Sequence, residues 1–562
     1  RTSNIQQELM KSYIKAFLIP GILAGAASCT DLDVKTETFY PEFPDNPIAV
    51  SGEFEGCYTY QRNEAWFGRN FWEAVFLGGD EAVGINLSGV YDDNGRFRDG
   101  SIHNFRPDLQ GVGLMNDMLS GISYTNTRIL LYGGAEGKDP IVAPLRAIRA
   151  YYTFWMMDLY GDVPILERQP EEGEAVERKP RAEVARWIES ELLDAIPDLT
   201  EANDASTYGR PNKWMAIATL VKLYLNWGVY TNDITTVTGN TPNEKLDDCI
   251  AWCDEIIKSG VFEVGQGYRR KFYPDNGVHI KDFIYAVDFD PEKYGNGGWK
   301  YAGGTEMNRW WDFRKQTQCK PNFWGWRPEN SIAGIFILTP EAVDRFNLPG
   351  DERNIMVAVG PQNSFDKDFN KTDEPVIVYK DARFRKEHGP LDFKKDFEWA
   401  NIKLLDVGSE DDIDNCLKGA RLFKYTIRES DEKTWARFQF NDIPVFRYAD
   451  ILLTKAECIL RGGAATLGAT PASLMNEVRD CASAPHVTGT PTLDELLDER
   501  SREFIMEPWR RNDLIRFGKF ENCARWKVAA NPAGMADVNK RLFPIPTGEM
   551  NTNTNWTQNP GY

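Results

Sequence analysis

The chain is poor in the residues that metal, redox and nucleic-acid chemistry draw on. It has only four histidines, His103, His279, His388 and His486, and no two stand at a metal-ligand spacing. That argues against zinc or iron chemistry. Nine cysteines are scattered without a CxxC pair, so neither a redox motif nor a disulfide framework is read. Cys249 and Cys253 stand four apart on a helical stretch. Small buried residues on an apolar face explain them better than a ligand pair. Basic charge is in deficit: 65 Lys and Arg against 84 Asp and Glu give a net charge of −19. A nucleic-acid binder needs a basic footprint, and none is visible. No apolar run reaches the length of a membrane span.

What is present is a large globular chain. Its 562 residues are 42% hydrophobic and 27% charged, with aromatics high at 12%. Those proportions allow a sizeable core. The segment MKSYIKAFLIPGILAGAASC, from Met10 to Cys29, has a short basic start, an apolar stretch and small residues before a cysteine. This is the pattern of a lipoprotein signal peptide, with Met10 as the start and acylation expected on Cys29. Ala26 departs from the commonest residue of that pattern. Residues 1–28 are thus expected to be removed and residues 29–46 to form a polar, lipid-anchored tether.

Tyr294 to Trp326 holds five of the 17 tryptophans, interleaved with glycines. Neither a helical nor a strand period orders these rings, and the glycines point to a loop. Rings on a loop make either a satellite core or a set of platforms for a ligand with apolar faces and hydroxyl edges, as sugars have. Trp66, Phe67, Phe71, Trp72 and Phe76 form a second cluster.

The remainder is mainly helical in pattern. Leu145, Ile148, Tyr152, Trp155 and Leu159 recur at three and four, and Gly161 and Pro164 close that helix. Arg181 to Ile196, Lys213 onward, and Leu246 to Gly260 read as amphipathic partners. Paired helices joined by loops are the grammar of tetratricopeptide repeats. We therefore expect a helical, repeat-like region over 47–261. Over 262–442 an irregular region should carry the aromatic loop and short strands (Pro375 to Tyr379, Arg421 to Tyr425). Helices should return over 443–562. Glu410, Asp411, Asp412 and Asp414 form an acidic knot without EF-hand spacing, so no metal is assigned there. Glu499, Glu503 and Glu507 share a helix face, but neighbouring arginines favour a structural ion-pair network over an acid–base pair.

Seven stretches in order resemble the SusD/RagB family of outer-membrane nutrient-binding lipoproteins, over almost the whole chain. They are the lipoprotein start; RAIRAYYTFWMMDLYGDVPIL at 146–166; NKWMAIATLVKLYLNWG at 212–228; and TPEAVDRF at 339–346 with Asp351 and Arg353. The others are DIPVFRYADILLTKAECIL at 442–460 with NEVR at 476–479; LLDERSREFIMEPWRRNDLIRFGKF at 496–520; and the ending RLFPIPTGEMNTNTNWTQNPGY. The resemblance implies a mainly α, tetratricopeptide-like body with an inserted, loop-rich ligand-binding region. It implies a non-enzymatic, lipid-anchored protein on the outer face of the outer membrane. Such a protein binds oligo- or polysaccharide and passes it to a SusC-like TonB-dependent transporter, without a cofactor. The family's binding face is aromatic-rich and lies where the two clusters fall. The expected ring contacts are Trp66, Trp72, Trp299, Tyr301, Trp310, Trp311, Trp324 and Trp326. Asp80, Asn308, Arg309, Asp312 and Arg314 are the expected hydrogen-bonding partners of hydroxyls. The same scaffold binding peptides, a surface glycoside hydrolase, and a scaffold for protein partners alone are the rival readings.

Overall fold

The computed structural model describes residues 47–88, 93–290, 305, 310–328, 333–435 and 438–562. The signal-peptide and tether segments, with Cys29, lie outside the described residues. Two units are distinguished, Arg1–Glu53 and Phe54–Tyr562. Of the first, only the opening of helix α1, Pro47–Tyr58, is described.

The second unit is built on paired helices. They are α2 (Met115–Tyr132), α3 (Ala143–Tyr160), α4 (Arg181–Ala195), α5 (Lys213–Leu225) and α6 (Leu246–Ser259). Each packs on the next, apart from a lighter contact of α4 with α5. The stops are those that the sequence specifies. Gly161 takes φ +79° after α3 and Gly260 takes φ +64° after α6, a left-handed backbone that glycine adopts without a Cβ clash. Asn212 caps α5 by accepting from Met215 N. The stack then resumes after a long insertion. Helix α7 (Tyr448–Leu460) packs on α6, and α8 (Pro471–Cys481) and α9 (Leu493–Phe504) pack on α7. Thr470 and Thr492 open α8 and α9 with capping boxes.

The insertion is zipped shut at its ends. Strand β3 (Phe283–Val287) pairs antiparallel with β6 (Ile443–Arg447), Phe283 opposite Arg447 and Val287 opposite Ile443. Between them lie short ladders. Strand β1 (Ala82–Gly84) pairs antiparallel with β4 (Phe336–Leu338), and β2 (Asn86–Ser88) pairs parallel with β5 (Asp406–Ser409). The strands expected near 375–379 and 421–425 occur, as Ile377–Tyr379 and Arg421–Leu422. The fold is mainly α with an irregular insertion, as the sequence predicts. Among the described residues no helix is long and apolar enough to cross a membrane.

The carboxylates of the C-terminal helical region are structural. Glu499 and Glu503 are fully buried and clasp Arg353 of the insertion at 2.8 and 3.0 Å. Glu503 and Glu507 also hold Arg447 at 2.7 and 2.9 Å, and Arg447 reaches Asp282 at 2.6 Å. Burial alone would raise the Glu499 carboxyl; Arg353, Arg502 and Arg479 bring it down to about 2. These buried groups join the insertion to α9 and the turn that follows it. Cys249 and Cys253 are buried free thiols on the inner face of α6.

Candidate ligand-binding site

The N-terminal aromatic segment folds as two π-helical turns, Glu64–Gly68 and Trp72–Phe76. Its rings point inward. Trp66 stacks on Phe67 and on Tyr151 of α3, with centroids 5.7 and 6.3 Å apart. Phe71 meets Trp155 edge-on at 5.7 Å, and Trp72 meets Phe76 at 6.1 Å. From Phe76 the chain of rings continues to Trp311 at 5.9 Å, and from Trp311 to Phe336 at 5.8 Å. Trp310 lies between Phe97 and Phe336, at 4.7 and 6.1 Å. The rings of 66–76 and Trp310 and Trp311 of the second sequence cluster thus form one continuous wall from α3 to β4.

Most of the expected ring contacts are buried. Trp66 and Trp72 have no exposed surface, and Trp310 and Trp311 have 1%. Trp324, at 6%, packs with Phe323, Phe365 and Phe423 in a second core cluster. In this arrangement none of the five offers a ring face to a ligand. The physical reason is area: rings this large are worth more buried against one another than exposed on a loop. Trp326 differs. It is half-buried on the edge of the second cluster, just past Gly325 at φ +74°, where a Cβ would approach Phe365 O to 2.9 Å. Trp299, Tyr301, Asn308 and Arg309 lie outside the described residues.

The polar candidates divide similarly. Asp80 is buried, with Arg510 Nε and Nη2 donating to its two carboxylate oxygens at 2.7 Å and Arg345 donating as well. Burial opposes its charge, but those two guanidinium groups hold the carboxyl well below its ordinary range. Asp80 is therefore a structural anchor. Asp312, also buried, accepts from Phe313 N at 2.9 Å within its own turn. Arg314 is half-exposed and pairs with Glu410. The acidic knot is likewise used locally: Asp412 caps a short helix and Asp414 bonds His388 at 3.0 Å. Among the described residues no group of three or more His, Cys, Asp or Glu is placed to hold a metal.

The structure adds residues that hold the ends of the segment between Asp290 and Thr305. Phe289 N donates to Asp442 Oδ1 at 2.9 Å, and Tyr208 hydroxyl donates to Asp442 Oδ2 at 2.6 Å. Arg62 Nε donates to Asp288 O at 2.6 Å. Thr305 exchanges backbone hydrogen bonds with Gln439, and its hydroxyl donates to Phe67 O at 3.2 Å. Burial, and then the nearby Asp288 charge, push the Asp442 carboxyl up. These are single polar residues spread along the chain, so no spacing in the sequence signals them. The chain is thus pinned to Arg62 and Asp442 at 288–289 and to Phe67 and Gln439 at Thr305.

Comparison with known proteins gives the family. A family model described as "SusD family" matches residues 260–562, and one described as "Starch-binding associating with outer membrane" matches residues 109–225. The "Starch-binding protein SusD" of Bacteroides thetaiotaomicron is 27% identical over 442 residues, covering 75% of this chain and 72% of that protein. Among solved structures, surface glycan-binding protein A from Bacteroides fluxus has a TM-score of 0.67 at 18% identity, covering 92% of this chain and 100% of that chain. A laminarin binding SusD-like protein has a TM-score of 0.67 at 20% identity, with the same coverage. Surface glycan-binding protein A from Bacteroides thetaiotaomicron, in complex with laminarihexaose, has a TM-score of 0.64 at 18% identity, covering 91% and 99%. With more than half of its length matched by the family model, this chain belongs to the SusD family.

Proposed function

We propose that the chain is a non-catalytic glycan-binding protein of the outer membrane that passes oligosaccharide to a SusC-like TonB-dependent transporter. The observation that carries the reading is Trp326, which keeps part of its ring in solvent on the edge of the second aromatic cluster. It is supported by family membership and by relatives named for binding starch, laminarin or surface glycans. The ligand-contacting rings are then Trp326 and, outside the described residues, Trp299 and Tyr301. Asn308, Arg309 and Arg314 supply hydroxyl partners. Lipid on Cys29 anchors the chain at the cell surface. The buried, arginine-bound state of Glu499 and Glu503 removes that carboxylate set as a hydrolytic pair.

A shallow face that must release its cargo binds weakly, on the order of micromolar to millimolar. Isothermal titration calorimetry of residues 30–562 against soluble polysaccharides and a peptide mixture tests the class. Heat with one glycan family and none with peptides is expected, with no new reducing ends after incubation. Heat with peptides alone overturns the reading in favour of peptide uptake, and product release makes the protein an enzyme.

A further inference from the structure

Away from the aromatic wall, the helical stack carries a groove of about 570 Å³ lined by Ile196, Pro197, Leu199, Glu201, Lys213, Ala251, Trp252 and Glu255. One side is the chain leaving α4. The other is the outer face of α6. Trp252 belongs to neither the buried stripe of α6 nor open solvent: it is half-buried, while Cys249, Ile250, Cys253 and Ile256 take the core side. Its Nε1 makes no hydrogen bond within the described residues and is not sealed from solvent. One helical turn along, exposed Glu255 has neither a hydrogen-bonded nor an ion-paired side chain among the described residues.

The opposite wall is fixed. Trp214 Nε1 donates to Glu201 O at 2.8 Å, and Lys213 N donates to Thr200 O at 3.0 Å. These bonds hold the 199–201 segment against the start of α5, while Ile196 and Leu199 anchor it in the core. Lys213 Nζ pairs with the Glu201 carboxylate at the groove edge. The groove therefore presents a half-buried indole whose N–H has no partner among the described residues, the Glu255 carboxylate, and the Lys213–Glu201 ion pair at its edge. Its volume falls in the range of small-molecule sites.

We propose that this groove is a second glycan contact, taking one or two rings of a neutral sugar chain with a pyranose face on Trp252. It rests on the glycan-binding reading above. An apolar C–H face suits the indole, and ring hydroxyls suit Glu201, Glu255 and Lys213. Two carboxylates against one lysine leave an excess of negative charge, which repels uronate or sulfated chains and selects neutral ones. A weak second contact on the same chain raises the avidity for long polysaccharide without altering the affinity for short fragments that cannot span both.

The test is 19F NMR of the full mature chain labelled with 5-fluorotryptophan, the Trp252 signal assigned by Trp252→Phe. Maltoheptaose, laminarihexaose, polygalacturonate and a peptide mixture are the probes. A neutral oligosaccharide should shift the Trp252 signal and polygalacturonate should not. In calorimetry with the matching long polysaccharide, Trp252→Ala and Glu255→Gln should each weaken binding by about 3- to 10-fold. The short fragment's binding at the proposed Trp326 site should stay unchanged. Glu255→Gln leaves the packed ring in place and keeps the test open if Trp252→Ala unfolds. If other tryptophan signals move and Trp252 does not, this proposal falls and the main reading stands. If Trp252 alone moves with a neutral sugar, the groove is the glycan site and the reading that places it at Trp326 falls. A Trp252 shift with peptides or polygalacturonate only, or no shift with any probe, overturns it.

Discussion

At the scale of single residues, tryptophans that look alike in the sequence have opposite duties. Trp66 is sealed between Phe67 and the tyrosines of α3, whereas Trp326 keeps part of its ring in solvent. Removing a buried indole loses its transfer energy and leaves a cavity. Trp66→Ala should cost about 3–5 kcal/mol of stability. Trp326→Ala should leave the unfolding midpoint nearly unchanged but weaken glycan binding at least about tenfold if its ring stacks on sugar. Thermal melts beside calorimetry separate the two. An equal loss of stability in both variants would mean that Trp326 is core as well. The sequence announces that rings concentrate at 66–76 and 294–326, and Phe76 and Trp311 of the two clusters meet. It cannot announce which way each ring faces, because loop backbones have no period that assigns sides. Trp252 is missed for the reverse reason: on a helix with a clear apolar stripe, one flanking tryptophan reads as the edge of the core.

At the scale of elements, the helices are the legible part. Their periods and the stops at Gly161 and Gly260 are local signals that the structure reproduces, and it adds the side-chain caps at Asn212 and Thr492. The joining of the insertion to the helices is not local. Arg353 reaches Glu499 and Glu503 across some 150 residues of sequence, and that partnership has no spacing to recognise. Its energetic logic gives a sharp test. Replacing Arg353 by methionine leaves buried carboxylates short of a counter-charge that their desolvation demands. The expected cost is about 3–5 kcal/mol, read as a fall in the urea midpoint. Glu499 retains Arg479 and Arg502, each within 3 Å, so Glu503 bears more of the loss. A midpoint within error of the parent would show that the insertion is held by its apolar contacts and the β3–β6 ladder instead.

For the whole molecule, the buried charges set how stability follows pH, and they pull in two directions. Glu457 and Glu499 are carboxyls that burial would raise but their arginine partners bring down to about 2. A depressed pKa contributes stability above the ordinary value of 4.5 that is lost as pH falls toward 2. Glu81 and Asp117 do the opposite. Burial pushes them up to about 7 and about 6. A raised pKa contributes stability present below the ordinary carboxylate value and lost as pH rises through 6 to 7. Glu81 stays proton-hungry because its neighbour Asp80 takes Arg510 in a bidentate pair and Arg345 besides. Glu81 is left with the Ser501 hydroxyl at 3.0 Å and a distant Arg510 contact at 3.8 Å. The fold should therefore be most stable in mildly acid solution and weaken on both sides. Glu81→Gln removes one ionisation from the alkaline limb while keeping the shape. Relative to the parent, it should gain stability at pH 8 by on the order of 1–3 kcal/mol and gain little or none at pH 5. Urea titrations of parent and variant at several pH values read this directly. An unchanged difference between pH 5 and pH 8 would assign the alkaline loss to other groups, Asp117 and Asp442 first.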